Sequence, residues 1–452
     1  MKHRFGFLLL LFASLLAAAC GSNREAGGKT HSPPPASSPN GGDQQPAPQA
    51  DPLKPGPSPQ PPQPVNLLLH GNLAQDYADQ YIISHVKNKL PHITIKYVTG
   101  NIQDHVTAGQ VPDLIFNASS ALHQLNDLGL LMDMTPLIRA ANFDLNRIAD
   151  GLIDSIKAQS GGKILLMPWG TGNYALYYNK DLFDKFNVPY PKDGITWDEV
   201  YDLASRLTRQ DGGMEYRGFD FNQNQAIQYN QLSLPYVDPR TNLAAVNTDS
   251  WKRYFENFAR FSRIPGNEWK SGTSIENEFV KTQTLAMIAT STMFNHLRTA
   301  AEQGQPVNFD LATYPVFSDR PGTSLQFVAS AFGISPTTKH PEEAFKVVEL
   351  MMSDEVQKQG AQIVRLTALK SQEVRSFTGK GDPLLESKNL QALYKNDMAP
   401  TKEGSKYDAI ASAELLNWFK EFRAGNTDVN TVLRQAEEAI NKKIAEQIAA
   451  GK

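Results

Sequence analysis

The chain has 452 residues, of which 40% are hydrophobic and 20% charged, with a formal net charge of −3 and a single cysteine. This length is enough for two or three packed domains, and the mildly acidic balance gives no general attraction to nucleic acid. One cysteine excludes a disulfide framework and a cysteine-based structural zinc site.

The first nineteen residues have the pattern of a secretory signal. Basic residues at 2–4 precede an apolar stretch over 5–16, and three alanines at 17–19 precede Cys20, the only cysteine. This segment resembles a bacterial lipobox, which implies that Cys20 carries a lipid and holds the protein on the outer face of the cell membrane. The alternative is ordinary secretion with an incidental cysteine.

Residues 20–64 read as a lipidated cysteine followed by a disordered tether. Thirteen of the 29 prolines lie between Pro33 and Pro64, among Gly, Ser, Gln and Asn. Such a composition buries too little apolar surface to offset the entropy of ordering, and its proline-rich half extends by about 3.1 Å per residue. The alternative interpretation is a proline-rich ligand for a partner domain.

From residue 65 onward, apolar runs alternate with helical periodicity, which predicts an α/β fold with mostly parallel sheets. The predicted strands are 65–69, 93–97, 113–116, 163–167, 174–178, 284–289 and 327–334, with another ending near Phe221. The predicted helices are 76–90, 118–131, 196–209, 248–264 and most of 341–452, the last from 427. Thr196 and Glu199 form a capping box at the start of the third helix.

Catalytic, metal and cofactor motifs are weak, so the sequence predicts no enzyme, no cofactor and no metal. Residues 170–175 match a dinucleotide fingerprint, but a strand follows where the motif requires a helix. Asp220 begins a calcium-like loop that lacks the glycine at position six and the glutamate at position twelve. A pair of carboxylates that meet only in space, as in glycosidases, stays open as an alternative.

Several separated blocks occur in order between residue 65 and about residue 445. They cover 112–116 (Pro-Asp-Leu-Ile-Phe), 128–133, 135–138, 162–168, 175–183, 196–199, 279–287, 332–335, 341–345 and 352–355. As an ordered set these blocks resemble the family 1 extracellular solute-binding proteins of ABC importers. The resemblance implies a two-lobed periplasmic-binding-protein-like fold whose lobes close around a ligand.

The resemblance also implies that both lobes are discontinuous in sequence. We expect the N-terminal lobe to comprise 65–170 and 316–362, and the C-terminal lobe to comprise 171–315 and 363–452. The hinge crossovers are expected near 168–174, 310–316 and 360–365.

In an open α/β sheet, ligands bind beyond the carboxyl ends of the strands, where the lobes meet. We therefore expect ligand contacts from residues just past predicted strand ends and from an aromatic that similar proteins often place at Tyr407. Amides hydrogen-bond hydroxyls and aromatic rings stack on sugar faces, so the set favours a neutral carbohydrate. The candidates are His70, Asn72, Asn117, Ser119, Trp169, Asn222, Asn224, Met293, Phe294, Asn295, Gln326, Phe327 and Tyr407.

Together these observations predict a monomeric, lipid-anchored receptor that captures a sugar, most often an oligosaccharide, and delivers it to ABC permease subunits. The alternatives are a surface lipoprotein enzyme acting on polysaccharide and a cell-wall interaction protein.

Overall fold

The computed structural model describes residues 62–172, 174–291, 293–401 and 404–450. The signal sequence, Cys20 and nearly all of the tether lie outside the described residues, so those predictions stay predictions. Among the helices of the described ranges, none combines the length and the apolar composition that crossing a membrane requires.

The strands of the described chain are numbered β1 to β15. In order they are Val65–Gly71, Ile93–Val98, Leu114–Ala118, Met167–Thr171, Ala175–Asn179, Arg209–Asp211, Met214–Tyr216, Asp220–Phe221, Val237–Asp238, Leu243–Ala244, Met287–Thr290, Phe309–Thr313, Thr323–Gln326, Ala329–Ile334 and Asp397–Ala399.

The α-helices are numbered α1 to α18. In order they are Gln75–Ala78, Ser84–Lys89, Ile102–Thr107, Leu122–Asp127, Thr135–Ala140, Leu152–Gln159, Lys180–Lys185, Trp197–Leu207, Gln223–Gln228, Asp249–Ala259, Ile275–Asn277, Phe294–Glu302, Pro341–Met351, Asp354–Gln362, Gln372–Arg375, Ala392–Lys395, Asp408–Arg423 and Val429–Ala449. Single turns of π-helix occupy Asp79–Ile83 and Glu278–Thr282, and 3₁₀ turns occupy Ser119–Ala121, Leu145–Arg147 and Arg260–Arg263.

Two mixed sheets organise the molecule. The first has the order β2-β1-β3-β14-β4, with β1 parallel to both neighbours and β14 antiparallel to both of its own. The second has the order β12-β5-β11-β8, in which only β11 and β8 are parallel. The two-lobed α/β class is confirmed, but the sheets are mixed rather than mostly parallel. An apolar run records burial and carries no information on strand direction, which long-range pairing sets.

Each sheet has its own hydrophobic core. The first core collects β1 to β4, β14 and α13 around residues such as Leu69 and Phe332. The second sheet buries both faces, because alternate residues of β5 point to opposite sides: Leu176 and Tyr178 enter the larger, aromatic-rich cluster and Tyr177 enters the smaller one. The chain is therefore built as two lobes, each stabilised by burial of its own apolar surface.

The predicted strand over 163–167 is wrong. Residues 163–166 form no strand, although Ile164, Leu165 and Leu166 are buried, and β4 begins only at Met167. The amide of Ile164 donates to Oδ1 of Asp133 at 3.2 Å, and its carbonyl accepts from the amide of Met134 at 2.9 Å. These bonds satisfy the backbone of Ile164 without a strand partner.

The other predicted strands coincide with observed ones within a few residues, but the helix over 118–131 is shorter than predicted. It consists of a 3₁₀ turn and α4, and it ends at Asp127. The capping box is confirmed: the Thr196 hydroxyl accepts from the amide of Glu199, and the Glu199 carboxylate accepts from the amide of Thr196.

The packing also differs from the predicted lobe boundaries at 315/316 and 362/363. Phe317 and Leu325 pack in the aromatic-rich core of the second sheet, whereas Ala368 and Leu369 pack in the core of the first sheet. Strand β13, which follows Phe317, pairs with β15 rather than with the first sheet. The chain therefore returns to the first core at Phe327.

Candidate functional site

A cavity of about 880 Å³ lies between the two cores. On the first-lobe side it is lined by the turn that ends β3, by α4 and by the end of α6. On the second-lobe side it is lined by residues 228–237 and by the start of α17. Its volume is in the range of sites for small organic ligands.

Half of the lining residues carry an amide or a hydroxyl. The amides are Gln103, Gln124, Gln159, Gln228 and Gln326; the hydroxyls are Ser119, Ser120, Ser233, Thr401, Ser405, Ser412, Tyr229 and Tyr236. The charged or titratable residues of the lining, apart from the tyrosines, are His123, Asp127, Lys406 and Asp408. Such a surface suits a ligand that both donates and accepts many hydrogen bonds.

A hydrogen bond between distant parts of the chain fixes the first-lobe wall. Strand β3 ends at Ala118, and Ser119 opens the 3₁₀ turn that leads into α4. The buried hydroxyl of Ser119 accepts from the amide of Ala329 at 2.9 Å, which ties this turn to β14. The turn therefore holds α4, and with it the side chains of His123 and Asp127, at the carboxyl end of β3.

The second-lobe wall is held by Asn230, which is fully buried. Its side-chain oxygen accepts from the amide of Leu234 at 2.7 Å, and its side-chain nitrogen donates to the Tyr236 hydroxyl at 3.1 Å. That hydroxyl donates in turn to the carbonyl of Ile227 at 2.6 Å. Burial raises the pKa of Tyr236, so its phenol stays protonated and keeps this bond.

The walls come close at Tyr229: burial raises the pKa of its phenol, and the side chain of Ser120 in the opposite lobe lowers it. The carbonyl of Tyr229 also accepts from the amide of Gln326 at 2.9 Å. Tyr229 is half-buried and packs against the second core, so one face of its ring is available to the cavity.

Two titratable groups of the lining have shifted ionisation. Burial raises the pKa of Asp408 to about 6, against the lowering effect of the backbone amides of Ser405 and Val237. Burial lowers the pKa of His123, against the raising effect of Asp127. At neutral pH the cavity therefore presents a carboxylate and a neutral imidazole.

Three of the thirteen predicted site residues line this cavity: Ser119, Gln326 and Phe327. They come from the ends of β3 and β13, where the strand-end argument places ligand contacts. The remaining ten are placed elsewhere by the structure.

Five of those ten are buried side chains. His70 lies inside β1 with Nε2 3.1 Å from the Gly100 carbonyl oxygen, and Met293, Phe294 and Tyr407 pack in the clusters of the second lobe. Trp169 lies inside β4 instead of beyond it, because the strand begins four residues later than predicted.

Arg365 covers the Trp169 ring. The carbon of its guanidinium lies 3.4 Å from the ring centroid, and burial lowers the pKa of Arg365 to about 10. Trp169 also accepts from Nε2 of Gln357 at its carbonyl, at 3.0 Å. Trp169 therefore joins β4 to the segment after α14 and contributes no surface to the cavity.

The other five are asparagines. Asn72 and Asn224 are exposed. Asn222 caps α9 by accepting from the amide of Gln225, Asn117 lies inside β3 and accepts from the amide of Ala118, and Asn295 accepts from Arg298. Asn117 and Asn222 thus serve the backbone rather than the cavity, since short polar side chains satisfy free amides there.

The sequence reasoning missed much of the cavity wall, including His123, Asp127, Tyr229 and Asp408. One readable signal existed: His123 and Asp127 are four residues apart on α4, a spacing that puts both on one helix face. Asp408 is the first residue of α17, and no short-range pattern links it to α4.

In the described ranges, no three His, Cys, Asp or Glu side chains converge as a metal site. Asp220, the first residue of the calcium-like loop, is fully buried and paired with Arg217 and Arg423, each at 2.6 Å. Its carboxylate is thereby committed to an ion-pair network.

A family model described as bacterial extracellular solute-binding protein matches residues 70–358. The match covers well over half of the chain and includes the end of β1, all of β2 to β14 and the first-lobe wall of the cavity.

Solved structures show the same fold. An ABC substrate-binding protein from Listeria monocytogenes in complex with cycloalternan is 19% identical, with a TM-score of 0.68 over 85% of this chain and 100% of that chain. A sugar transporter from Rhizobium etli in an open conformation is 18% identical, with a TM-score of 0.70 over 83% and 98%. A cyclic α-maltosyl-1,6-maltose binding protein from Arthrobacter globiformis is 17% identical, with a TM-score of 0.68 over 84% and 99%.

Proposed function

The chain belongs to the bacterial extracellular solute-binding proteins, and from this premise we propose that it binds a neutral carbohydrate between its two lobes and presents it to an ABC importer. The observation that carries the proposal is the cavity of about 880 Å³, whose wall combines amide and hydroxyl groups with apolar surface and tyrosine rings. Hydroxyl-rich ligands satisfy such a wall without bringing charge into it.

An oligosaccharide is the ligand class we favour. The cavity volume exceeds the volume of one small sugar ring, and the residues that line the cavity come from both lobes. The similar proteins from Listeria monocytogenes and Arthrobacter globiformis are described with cyclic oligosaccharides, which supports this class.

Binding closes the lobes about three chain segments that are hydrogen-bonded to one another. The amide of Thr171 donates to the carbonyl of Leu366 at 3.0 Å, and the amide of Gly172 donates to the carbonyl of Val328 at 3.0 Å. We place the hinge at these three segments. A ligand that contacts both walls favours the closed state by its differential affinity for that state.

We further propose that Cys20 carries a lipid and holds the receptor, as a monomer, on the outer face of the membrane beside its permease. Mass spectrometry of the protein from its native membrane is expected to show a diacylglycerol adduct on a peptide that begins at Cys20. A peptide with an unmodified Cys20 would contradict the anchor and leave solute binding untouched.

The binding proposal is tested by thermal unfolding with neutral mono- and oligosaccharides, using peptides and polyamines as controls. A ligand at a hundredfold its dissociation constant adds about 2.7 kcal/mol to the free energy of unfolding, which raises Tm by a few degrees. Stabilisation by peptides or polyamines alone, or by none of the compounds, would contradict carbohydrate binding.

Tyr229→Ala is expected to weaken binding of the stabilising sugar about tenfold, because the ring and hydroxyl of Tyr229 line the cavity. Tyr201→Ala is the matched control: Tyr201 is also half-buried against the second core, but its ring packs at a tilt against Phe261 and does not line the cavity. Calorimetric titration measures both, and equal loss of affinity in the two variants would argue against this cavity as the binding site.

An enzyme acting on polysaccharide and a cell-wall interaction protein are the competing functions. Under our proposal the purified protein releases no reducing ends from glycans and returns its ligand unchanged. Release of reducing ends would favour the enzyme, and retention on peptidoglycan without binding of soluble sugars would favour the cell-wall protein.

A further inference from the structure

Three residues of the cavity wall carry a buried polar atom without a hydrogen-bond partner: His123 at Nε2, Asp408 at Oδ1 and Thr401 at Oγ1. Two of these atoms, those of His123 and Asp408, belong to titratable side chains. The other oxygen of Asp408, Oδ2, accepts from the backbone amide of Ser405 at 3.0 Å, and the amide of Val237 also lowers the pKa of this carboxyl without forming a hydrogen bond to Oδ1. Buried polar groups are nearly always paired, so unpaired ones in a cavity indicate a missing partner.

The two side chains flank a common space at Gly404. A methyl group built on Gly404 would lie 2.8 Å from Oδ2 of Asp408 and 3.6 Å from Nε2 of His123. They also belong to different lobes: α4 packs in the first core through Leu122, and α17 packs in the second core through Ala411. A group placed here touches both halves of the molecule at once.

Resting on the proposed function, we propose that one hydroxyl of the bound carbohydrate bridges His123 and Asp408, accepting from Nε2–H and donating to Oδ1. A hydroxyl has one donor hydrogen and two acceptor lone pairs, which matches one imidazole N–H and one carboxylate oxygen. The pair selects ligands that carry this hydroxyl and couples its recognition to closure. A ligand that lacks it leaves both groups buried and unpaired, which a site rejects strongly.

The ionisation of the pair is consistent with the bridge. At neutral pH the Asp408 carboxylate accepts and the neutral His123 ring has one N–H to donate. The other charged or titratable groups in the lining are Asp127 on α4 in the first-lobe wall, and Lys406, Tyr229 and Tyr236 in the second-lobe wall with Asp408. A hydroxyl that donates to Asp408 favours its ionised form, so binding near pH 6 releases protons and weakens as the pH falls further.

The test uses calorimetric titration of the full chain with the oligosaccharide that stabilises it most. Asp408→Asn and His123→Gln are each expected to weaken binding at least tenfold at pH 7.5. The matched controls Asp202→Asn and His296→Gln change exposed helical residues and should stay within twofold of the original protein. Titration at pH 6 in buffers of different ionisation enthalpy should show proton release, which Asp408→Asn abolishes.

Gly404→Ala is the second variant, because it retains both polar groups while its methyl group crowds Oδ2 of Asp408 and Nε2 of His123. It is expected to weaken binding at least tenfold with a melting temperature close to that of the original protein. Normal affinity in Asp408→Asn, His123→Gln or Gly404→Ala, or proton release that persists in Asp408→Asn, would overturn the bridge while sugar binding stands. Absence of carbohydrate binding by the original protein would overturn the proposed function and the bridge together.

Discussion

Asp220 illustrates how a single buried carboxylate is stabilised. It is fully buried and accepts from Arg217 and Arg423 at 2.6 Å each, and Arg217 also reaches Glu278 at 2.6 Å. Burial raises the pKa of Asp220, but the two guanidinium groups outweigh it and hold the pKa below the usual value. This network joins β8 to the end of α17, two elements far apart in the chain.

Asp220→Ala is expected to lower the free energy of unfolding by about 3–5 kcal/mol, because it leaves two buried guanidinium groups without their shared partner. Urea unfolding at pH 7 measures the loss. Asp202→Ala, on the exposed face of α8, should stay within about 0.5 kcal/mol. A loss for Asp220→Ala no larger than for this control would contradict the network's role.

The depressed pKa of Asp220 also fixes the sign of its pH dependence. The stabilisation is present above the pKa of an unfolded aspartate, about 3.9, and is lost as the pH falls through the lower folded value. Asp220 therefore contributes to stability throughout the neutral range, and its contribution is lost only in strong acid.

The contribution of Asp408 to stability depends on pH with the opposite sign. Its folded pKa of about 6 lies above the unfolded value of about 3.9, so between these values the folded state binds more protons. Its contribution to stability therefore falls as the pH rises from 4 to 6. The difference in unfolding free energy, Asp408→Asn minus original protein, is expected to be larger at pH 8 than at pH 4.5. Urea unfolding at the two pH values measures it, and an unchanged difference would contradict the raised pKa.

At the scale of elements, helix α8 is specified by its own sequence. Thr196 and Glu199 satisfy each other's amides at its start, and Trp197, Val200 and Ala204 place one face of the helix in the core. All of these contacts lie within a few residues of one another, so spacing alone predicts them.

Thr196→Ala is expected to lower the free energy of unfolding by about 1 kcal/mol, the usual cost of removing a cap. Ser205→Ala is the control: Ser205 lies in the same helix, exposed, with its hydroxyl donating to the Tyr201 carbonyl at 2.9 Å. Chemical denaturation compares the two variants, and an equal effect would mean that the cap adds nothing beyond an ordinary helical hydroxyl.

Segment 163–167 shows where an apolar run misleads. Residues 164–167 are buried as a strand would be, but the backbone of Ile164 bonds to Asp133 and Met134, and the pairing with β14 begins only at Met167. This shift places Trp169 inside β4 under Arg365 rather than beyond a strand end. A four-residue error in one strand end was enough to misplace a candidate ligand contact.

At the scale of the whole molecule, closure is the property that the proposed function requires. Small-angle scattering is expected to show a smaller radius of gyration when a stabilising oligosaccharide is added, because the ligand draws the two walls together. A sugar that leaves Tm unchanged serves as the control and should leave the radius unchanged. Stabilisation with no change in radius would mean that binding involves no movement of the lobes.

The sequence by itself determined the α/β class, most of the strands and helices, the capping box and the resemblance to solute-binding proteins. These depend on periodicity, caps and short blocks, all of which arise between neighbours along the chain. Of the predicted site residues, Ser119, Gln326 and Phe327 follow or end strands and line the cavity, and their role in binding stays a prediction.

Only the tertiary structure decided the strand directions, the segments that join the lobes and the rest of the cavity wall. Whether an asparagine past a strand caps a helix, as Asn222 does, or faces a ligand depends on which backbone amides lie nearby. Likewise, His123 and Asp408 come together through the packing of α4 and α17 in separate cores. Contacts between distant parts of the chain follow from how the cores pack, and no spacing in the sequence encodes them.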